Sequence, residues 1–193
     1  FGLQYPVLKA IDEHPNLDYK LIVSGAHLDE NFGNTLDEIA KDGFHIDAEV
    51  KIEMDASSLE ANVNAIGTGI LSVGEAIKKI QPDMMVVYAD RFEGFAAVIA
   101  ASQMNIPTVH IEGGDLTEGG ALDDSVRHAM TKISHIHITT NEDAKKRIKE
   151  DHLRILRFFR FISKYPSQNS SINLKTLDAI KQSKNLIKKL SSI

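Results

Sequence analysis

The sequence predicts an α/β protein built on a Rossmann-like, doubly wound parallel sheet, and three observations carry that reading. Short apolar runs alternate with longer stretches of helical spacing, the rhythm of βαβ units. The runs are apolar throughout instead of alternating with polar residues, as expected of strands covered by helices on both faces. Three of them end in polar clusters, which is where open parallel sheets bind ligands.

Taken in order, Phe1–His14 reads as a helix with Leu3, Val7, Leu8 and Ile11 on one face. Tyr19–Ser24 is a strand ended by Gly25, Asn34–Lys41 a helix and His45–Val50 a further strand. Leu59–Ile80 is a long helix closed by Gln81-Pro82, since the residue before a proline is pushed out of helical geometry. Met84–Tyr88 is a buried strand, Gly94–Met104 an alanine-rich helix, and Thr108–Glu112 a strand following Pro107. Asp124–Ile133 is helical, Ile136–Thr140 extended, and Asn141 caps a helix running to about Glu150 with acidic residues in its first turn. With parallel strands the crossovers are right-handed. The chain opens on Phe, inside a predicted helix, so a strand ahead of it is expected to be missing.

The last segment follows a different logic. Residues 1–150 hold 13 Lys+Arg against 25 Asp+Glu, whereas residues 151–193 hold 9 against 2, so an acidic body (net −12) carries a basic tail (net +7). Arg157–Pro166 mixes aromatic and cationic residues without a period, Ser167–Asn173 is turn-like, and residues 174–190 regain helical spacing. The expected organisation is therefore one domain over residues 1–156 and a basic tail over 157–193.

Composition narrows the chemistry. There is no cysteine, so disulfides, thiolate catalysis and cysteine zinc sites are excluded. No signal peptide and no membrane-length apolar run is present, which makes the cytoplasm the expected compartment and a membrane or nucleic-acid partner unexpected. Gly67-Thr68-Gly69 misses the dinucleotide fingerprint, because its spacing is wrong and no strand precedes it. His135 and His137 share one face of a strand but have no third ligand at a convincing spacing, so no metal and no cofactor is called for.

The three polar clusters remain. Tyr88-Ala89-Asp90-Arg91-Phe92-Glu93 and His110-Ile111-Glu112-Gly113-Gly114-Asp115 place Asp90 and Glu112 at the ends of separate strands, and Ser24-Gly25-Ala26-His27 ends a third. Carboxylates converging on one crevice are what acid–base work at a carbon centre requires. The plainer alternatives are that these acids cap helices, that His110 is a hydrogen-bonded core residue, and that Asp123-Asp124-Ser125-Val126-Arg127-His128 is a helix cap with a local ion pair.

As an ordered set, D-R-F-E after an apolar strand, H-I-E-G-G-D and D-D-S-x-R-H-A resemble the hydrolysing UDP-N-acetylglucosamine 2-epimerases, including bacterial sialic-acid pathway enzymes. Ser24–His27, Phe32-Gly33-Asn34-Thr35 and Glu150–Leu156 add to the likeness, which covers residues 1–156. The resemblance implies one domain of a two-domain glycosyltransferase-B architecture, with the site in the cleft between domains. It implies elimination of UDP from the sugar to a 2-acetamidoglucal, then addition of water to give N-acetylmannosamine. Asp90, Glu112 and Asp123 are then the acid–base candidates, with His110 and His135 supporting the site and His27 and Arg127 holding the UDP-sugar substrate. Association into homo-oligomers is implied for the full-length family. Departures accompany the match: Tyr88-Ala89 stands where the family has His-Gly, and the family's Arg-x-Asp strand, Gly-x-Pro segment and second domain have no counterpart in this sequence. Negligible turnover is therefore expected of this fragment alone. A non-catalytic interaction module and a sugar-nucleotide glycosyltransferase domain are the competing readings.

Overall fold

The computed structural model describes residues 1–29, 35–52, 58–117 and 122–149. The tail expected over 157–193, its helix over 174–190, and the Phe32–Asn34 and Glu150–Leu156 parts of the family likeness lie outside these residues.

Helix α1 (Tyr5–Asp12) leads into β1 (Leu21–Ser24), a short 3-10 turn (Gly25–Leu28), α2 (Leu36–Lys41) and β2 (Ile46–Val50). Then come α3 (Leu59–Ile80), β3 (Met85–Tyr88), α4 (Phe92–Gln103), β4 (Thr108–Ile111), α5 (Leu122–Ile133), β5 (Ile136–Ile138) and α6 (Glu142–Lys149). All strand pairs among the described residues are parallel: β1 with β2, and β3 with β4 with β5. The expected sheet is thus present as a two-stranded and a three-stranded block. Within each block the strand order follows the chain, β1-β2 and β3-β4-β5, and α3 connects the two.

Side-chain alternation along β1 explains how one strand serves two helix layers. Val23 packs with Ile39, Phe44 and the aromatic rings of α1, whereas Ile22 faces the cluster of α3 and α4. That second cluster joins Val50 and Ile52 to Ala76, Ile77, Ala100 and Ala101, with Met85 of β3 at its edge, so a common core ties the two blocks together. Helices α3 and α4 approach closely because their contact is built of small residues. A Cβ on Gly69 would stand 3.0 Å from the Ala96 Cβ and 2.9 Å from Ile52. Helix α3 has the predicted boundaries for two local reasons. Ser58 Oγ accepts the Ala61 N–H (3.1 Å), and the chain leaves the helix at Gln81 in a left-handed turn just before Pro82. The Asn141 cap also holds, its Oδ1 accepting the Ala144 N–H at 2.8 Å.

Helix α1 departs from the sequence reading. It begins at Tyr5, not Phe1; Tyr5 and Leu8 pack inward together with Phe1 from the turn ahead of the helix, while Leu3 and Val7 are exposed. Phe1, Tyr5 and Tyr19 each meet Phe44 edge to face, and this aromatic cluster, not the aliphatic stripe, sets the helix rotation.

Candidate active site

The carboxyl ends of β3 and β4 are ladder neighbours, with Tyr88 opposite Ile111. One residue beyond each end the backbone turns left-handed at a non-glycine position: Ala89 at φ 58° and Glu112 at φ 64°. Both still extend the ladder, since Ala89 N–H donates to Ile111 O (3.1 Å) and Glu112 N–H to Ile138 O (2.8 Å). Such conformations are costly and persist where surrounding contacts enforce them, as they do at functional sites. The enforcing contact here is His110. Its ring is fully buried, with Nε2 donating to Ala89 O (2.6 Å) and Nδ1 hydrogen-bonded to Thr131 Oγ1 (3.0 Å). Thr131 Oγ1 also accepts the Gly114 N–H (3.3 Å). His110 is the hydrogen-bonded core histidine of the plainer alternative, and it fixes the turn that carries Asp90.

The two strand-end acids are held by different partners. Arg127 Nη2 donates to Asp90 Oδ2, and Arg127 Nη1 reaches Asp124 Oδ1 (3.4 Å) and Thr117 Oγ1 (3.3 Å). Arg127 and its two acids are largely buried, with side chains 10–19% exposed. Glu112 Oε1 accepts the Tyr88 hydroxyl. Asp90 is not the N-cap of α4, which is Arg91.

That hydrogen bond, then burial, then the Glu112 charge push the Tyr88 phenol up to about 12. Substituting Glu112→Gln removes the anionic acceptor and should bring one of the four tyrosines toward its ordinary value of 10. Phenolate absorbance titrated against pH checks this; superimposable curves would sink the contact.

Asp124 is held below the ordinary carboxylate value of 3.8, first by the Thr117 hydroxyl (2.6 Å) and then by its backbone N–H (2.8 Å). The folded state therefore prefers the ionised form more than the unfolded chain does. Its contribution is complete above the unfolded value and is lost as pH falls through the lowered one. Thr117→Val should accordingly move the acid-unfolding midpoint, read by circular dichroism, to higher pH.

The structure brings Asp90, Glu112 and Arg127 to one rim, with His110 beneath it. On the β1 side, His27 lies on the 3-10 turn with Nδ1 hydrogen-bonded to Thr35 Oγ1. Burial lowers its pKa against the opposing pull of Glu93 and Glu38.

Two predicted residues do not join this rim. Asp123 is exposed in the first turn of α5, and the neighbouring Asp124 turns inward instead. His135 lies ahead of β5 and accepts the Thr108 N–H (3.2 Å) at the amino end of the sheet, the far end from Glu112. The histidine in register with His110 is His137. Sequence reasoning did not single out Tyr88 or Asp124 as site residues, although the local ion pair it expected in Asp123–His128 is present as Arg127 with Asp124. Asp124 had a signal, since 124, 127 and 131 fall on one helical face, and all three are buried. A separate cleft of about 420 Å³, lined by Lys51, Ser58 and Asn64, lies at the start of α3 and contains none of the strand-end acids. Among the described residues no group of three or more His, Asp or Glu side chains is arranged to hold a metal ion, and no helix is long and apolar enough to cross a membrane.

Known proteins with the same pattern agree with this architecture. A UDP-N,N'-diacetylbacillosamine 2-epimerase (hydrolyzing) of Legionella pneumophila is 36% identical over 148 residues, which is 77% of this chain and 39% of the relative. A UDP-N-acetylglucosamine 2-epimerase of Neisseria meningitidis serogroup B is 32% identical over 161 residues, 81% of this chain and 41% of the relative. The chain thus spans about two-fifths of the length of these relatives. Among solved structures, the Neisseria meningitidis UDP-GlcNAc 2-epimerase bound to UDP-GlcNAc superposes with a TM-score of 0.65 at 19% identity, covering 84% of this chain and 46% of that one. The fold is that of a Rossmann-like domain of the glycosyltransferase-B type. Residues 9–157 match the model describing UDP-N-acetylglucosamine 2-epimerases, and with that match the chain belongs to the UDP-N-acetylglucosamine 2-epimerase family.

Proposed function

We propose that this chain carries the acid–base wall of a hydrolysing UDP-sugar 2-epimerase site, acting on UDP-N-acetylglucosamine. The observation that supports it best is the pair of acids on adjacent parallel strand ends, Asp90 fixed by Arg127 and Glu112 by Tyr88. In the reaction a base takes the proton at C2 while the C1–oxygen bond breaks, releasing UDP and leaving a C1–C2 double bond. Water then adds its oxygen at C1 and a proton returns to C2 on the opposite face, giving N-acetylmannosamine. Proton removal and return from opposite faces require two groups, and Asp90 and Glu112 are the two assigned here, with Asp123 left outside the chemistry. Arg127 holds the first acid in place, and His110 holds the loop.

A single wall does not enclose the substrate, so positioning and water exclusion are incomplete and the isolated chain should release negligible UDP. The test is a chimera in which residues 9–149 replace the matching segment of the Legionella relative. Release of UDP from UDP-N-acetylglucosamine, with N-acetylmannosamine as co-product, is expected. A folded chimera that binds UDP but releases none from its UDP-sugar would refute the assignment, and ordinary turnover by the isolated chain would show that a single wall suffices.

A further inference from the structure

We propose that Glu93 and Ser24 form a sugar-reading subsite on the β1 side of the crevice, one that accepts hydroxyl or amide donors of a neutral pyranose ring and rejects phosphate. The proposal rests on the UDP-sugar reading above and deepens it.

The location comes from topology. Ligand crevices in open α/β sheets form beyond the carboxyl ends of the strands, and here the end of β1 meets the start of α4, which follows β3. Glu93, in the first turn of α4, reaches across this point to the end of β1. Its Oε1 lies only 2.3 Å from where a Cβ on Gly25 would stand, and Gly25 is itself left-handed at φ 62°. Only glycine admits both the backbone conformation and the carboxylate lying over it.

The chemistry comes from two atoms. Glu93 is 14% exposed, and its Oε2 is buried without a hydrogen-bond partner among the described residues. Its Oε1 has a long contact (3.4 Å) from Arg91, whose guanidinium is mostly in solvent. Ser24 Oγ is likewise buried without a partner among the described residues. By strand alternation Ser24 shares the face of Ile22, the face on which α4 packs. A buried carboxylate oxygen lacking a donor is costly, and a ligand O–H or N–H removes that cost. A phosphate brought to the same place meets a like charge. Vicinal hydroxyls or an acetamido N–H supply donors without charge, and the serine hydroxyl can donate or accept as the ring requires. The site therefore reads the sugar end of a nucleotide sugar and leaves the diphosphate outside.

The experiment titrates the full 193-residue chain, and its Glu93→Gln and Ser24→Ala variants, with UDP-N-acetylglucosamine, UDP and free N-acetylmannosamine, following amide chemical shifts. Ser24→Ala removes only a hydroxyl, so it tests the subsite with little disturbance of packing. Wild type should bind UDP-N-acetylglucosamine more tightly than UDP. Each variant should weaken the sugar nucleotide about tenfold or more while leaving UDP unchanged. Equal weakening of both nucleotides, no weakening in either variant, or binding of none of the three ligands would overturn the subsite. A chimera that turns over while Glu93→Gln keeps full sugar discrimination leaves the enzymatic reading standing and the subsite wrong. Glu93-dependent binding of N-acetylmannosamine with no response to either nucleotide does the reverse, supporting the subsite and removing the UDP-sugar.

Discussion

Replacing Arg127 with alanine is expected to destabilise the domain by about 3–5 kcal/mol, the cost of removing one partner of a buried ion pair and leaving the other uncompensated. Two carboxylates lose their cation at once. Asp90 and Asp124 both accept from this guanidinium, and both side chains are less than one-fifth exposed. For a domain of this size the corresponding drop in melting temperature is on the order of 10 °C. Lysine should rescue little, because a point charge on a flexible stem cannot reach two separated acceptors as the planar fork does. A double variant, Arg127→Met with Asp90→Asn, should regain part of the loss, since it removes a buried charge together with its partner. Thermal melts of the single and double variants decide the matter: an Arg127→Ala melt coincident with wild type would mean that the rim is hydrated and the network carries no weight. The loss would also reach function, because the guanidinium that anchors Asp90 sits on α5 while Asp90 sits beyond β3, so the pair fixes the spacing of those two elements.

The parts of this molecule that were legible in the sequence are those set by local or periodic signals. Gln81-Pro82 marked the end of α3, and the uninterrupted apolar runs marked β3 and β4 as strands; the expected burial holds for β4 but not for β3, where Val86 is 44% exposed. Asp90 and Glu112 were legible as site candidates because parallel sheets present chemistry at their carboxyl ends. What was not legible depends on tertiary geometry. The left-handed turns at Ala89 and Glu112 fall on residues with no intrinsic preference for that conformation, so nothing nearby announces that Tyr88 will meet Glu112. The rotation of α1 followed from Phe44, distant in sequence, and not from its own aliphatic spacing. His135 and His137 illustrate the limit most simply: spacing put both on one face, but only the observed start of β5 at Ile136 shows that one precedes the strand and the other lies beside His110. Glu93 escaped for a similar reason, since its partner surface at Gly25 comes from a strand that is far away along the chain.

The strand-end geometry separates the two acids by experiment. In the chimera with the Legionella relative, Glu112→Gln is expected to lower the rate of UDP release by ~10²–10⁴-fold, the usual worth of a positioned acid or base. It should leave the melting temperature close to that of the parent chimera, because the Glu112 carboxylate is held by a hydroxyl and glutamine still offers Tyr88 an acceptor oxygen. Asp90→Asn is a different kind of change. It strands the Arg127 guanidinium, so turnover and stability should fall together. Tyr88→Phe completes the comparison by removing the hydroxyl that steadies Glu112 without touching the carboxylate itself. Its effect should fall on the turnover rate, with affinity for the UDP-sugar retained, because Tyr88 acts through Glu112 and not on the substrate. Wild-type turnover in Glu112→Gln would remove Glu112 from the chemistry. A loss of stability in Glu112→Gln as large as that in Asp90→Asn would mean that both acids serve the fold and neither has been reserved for the reaction.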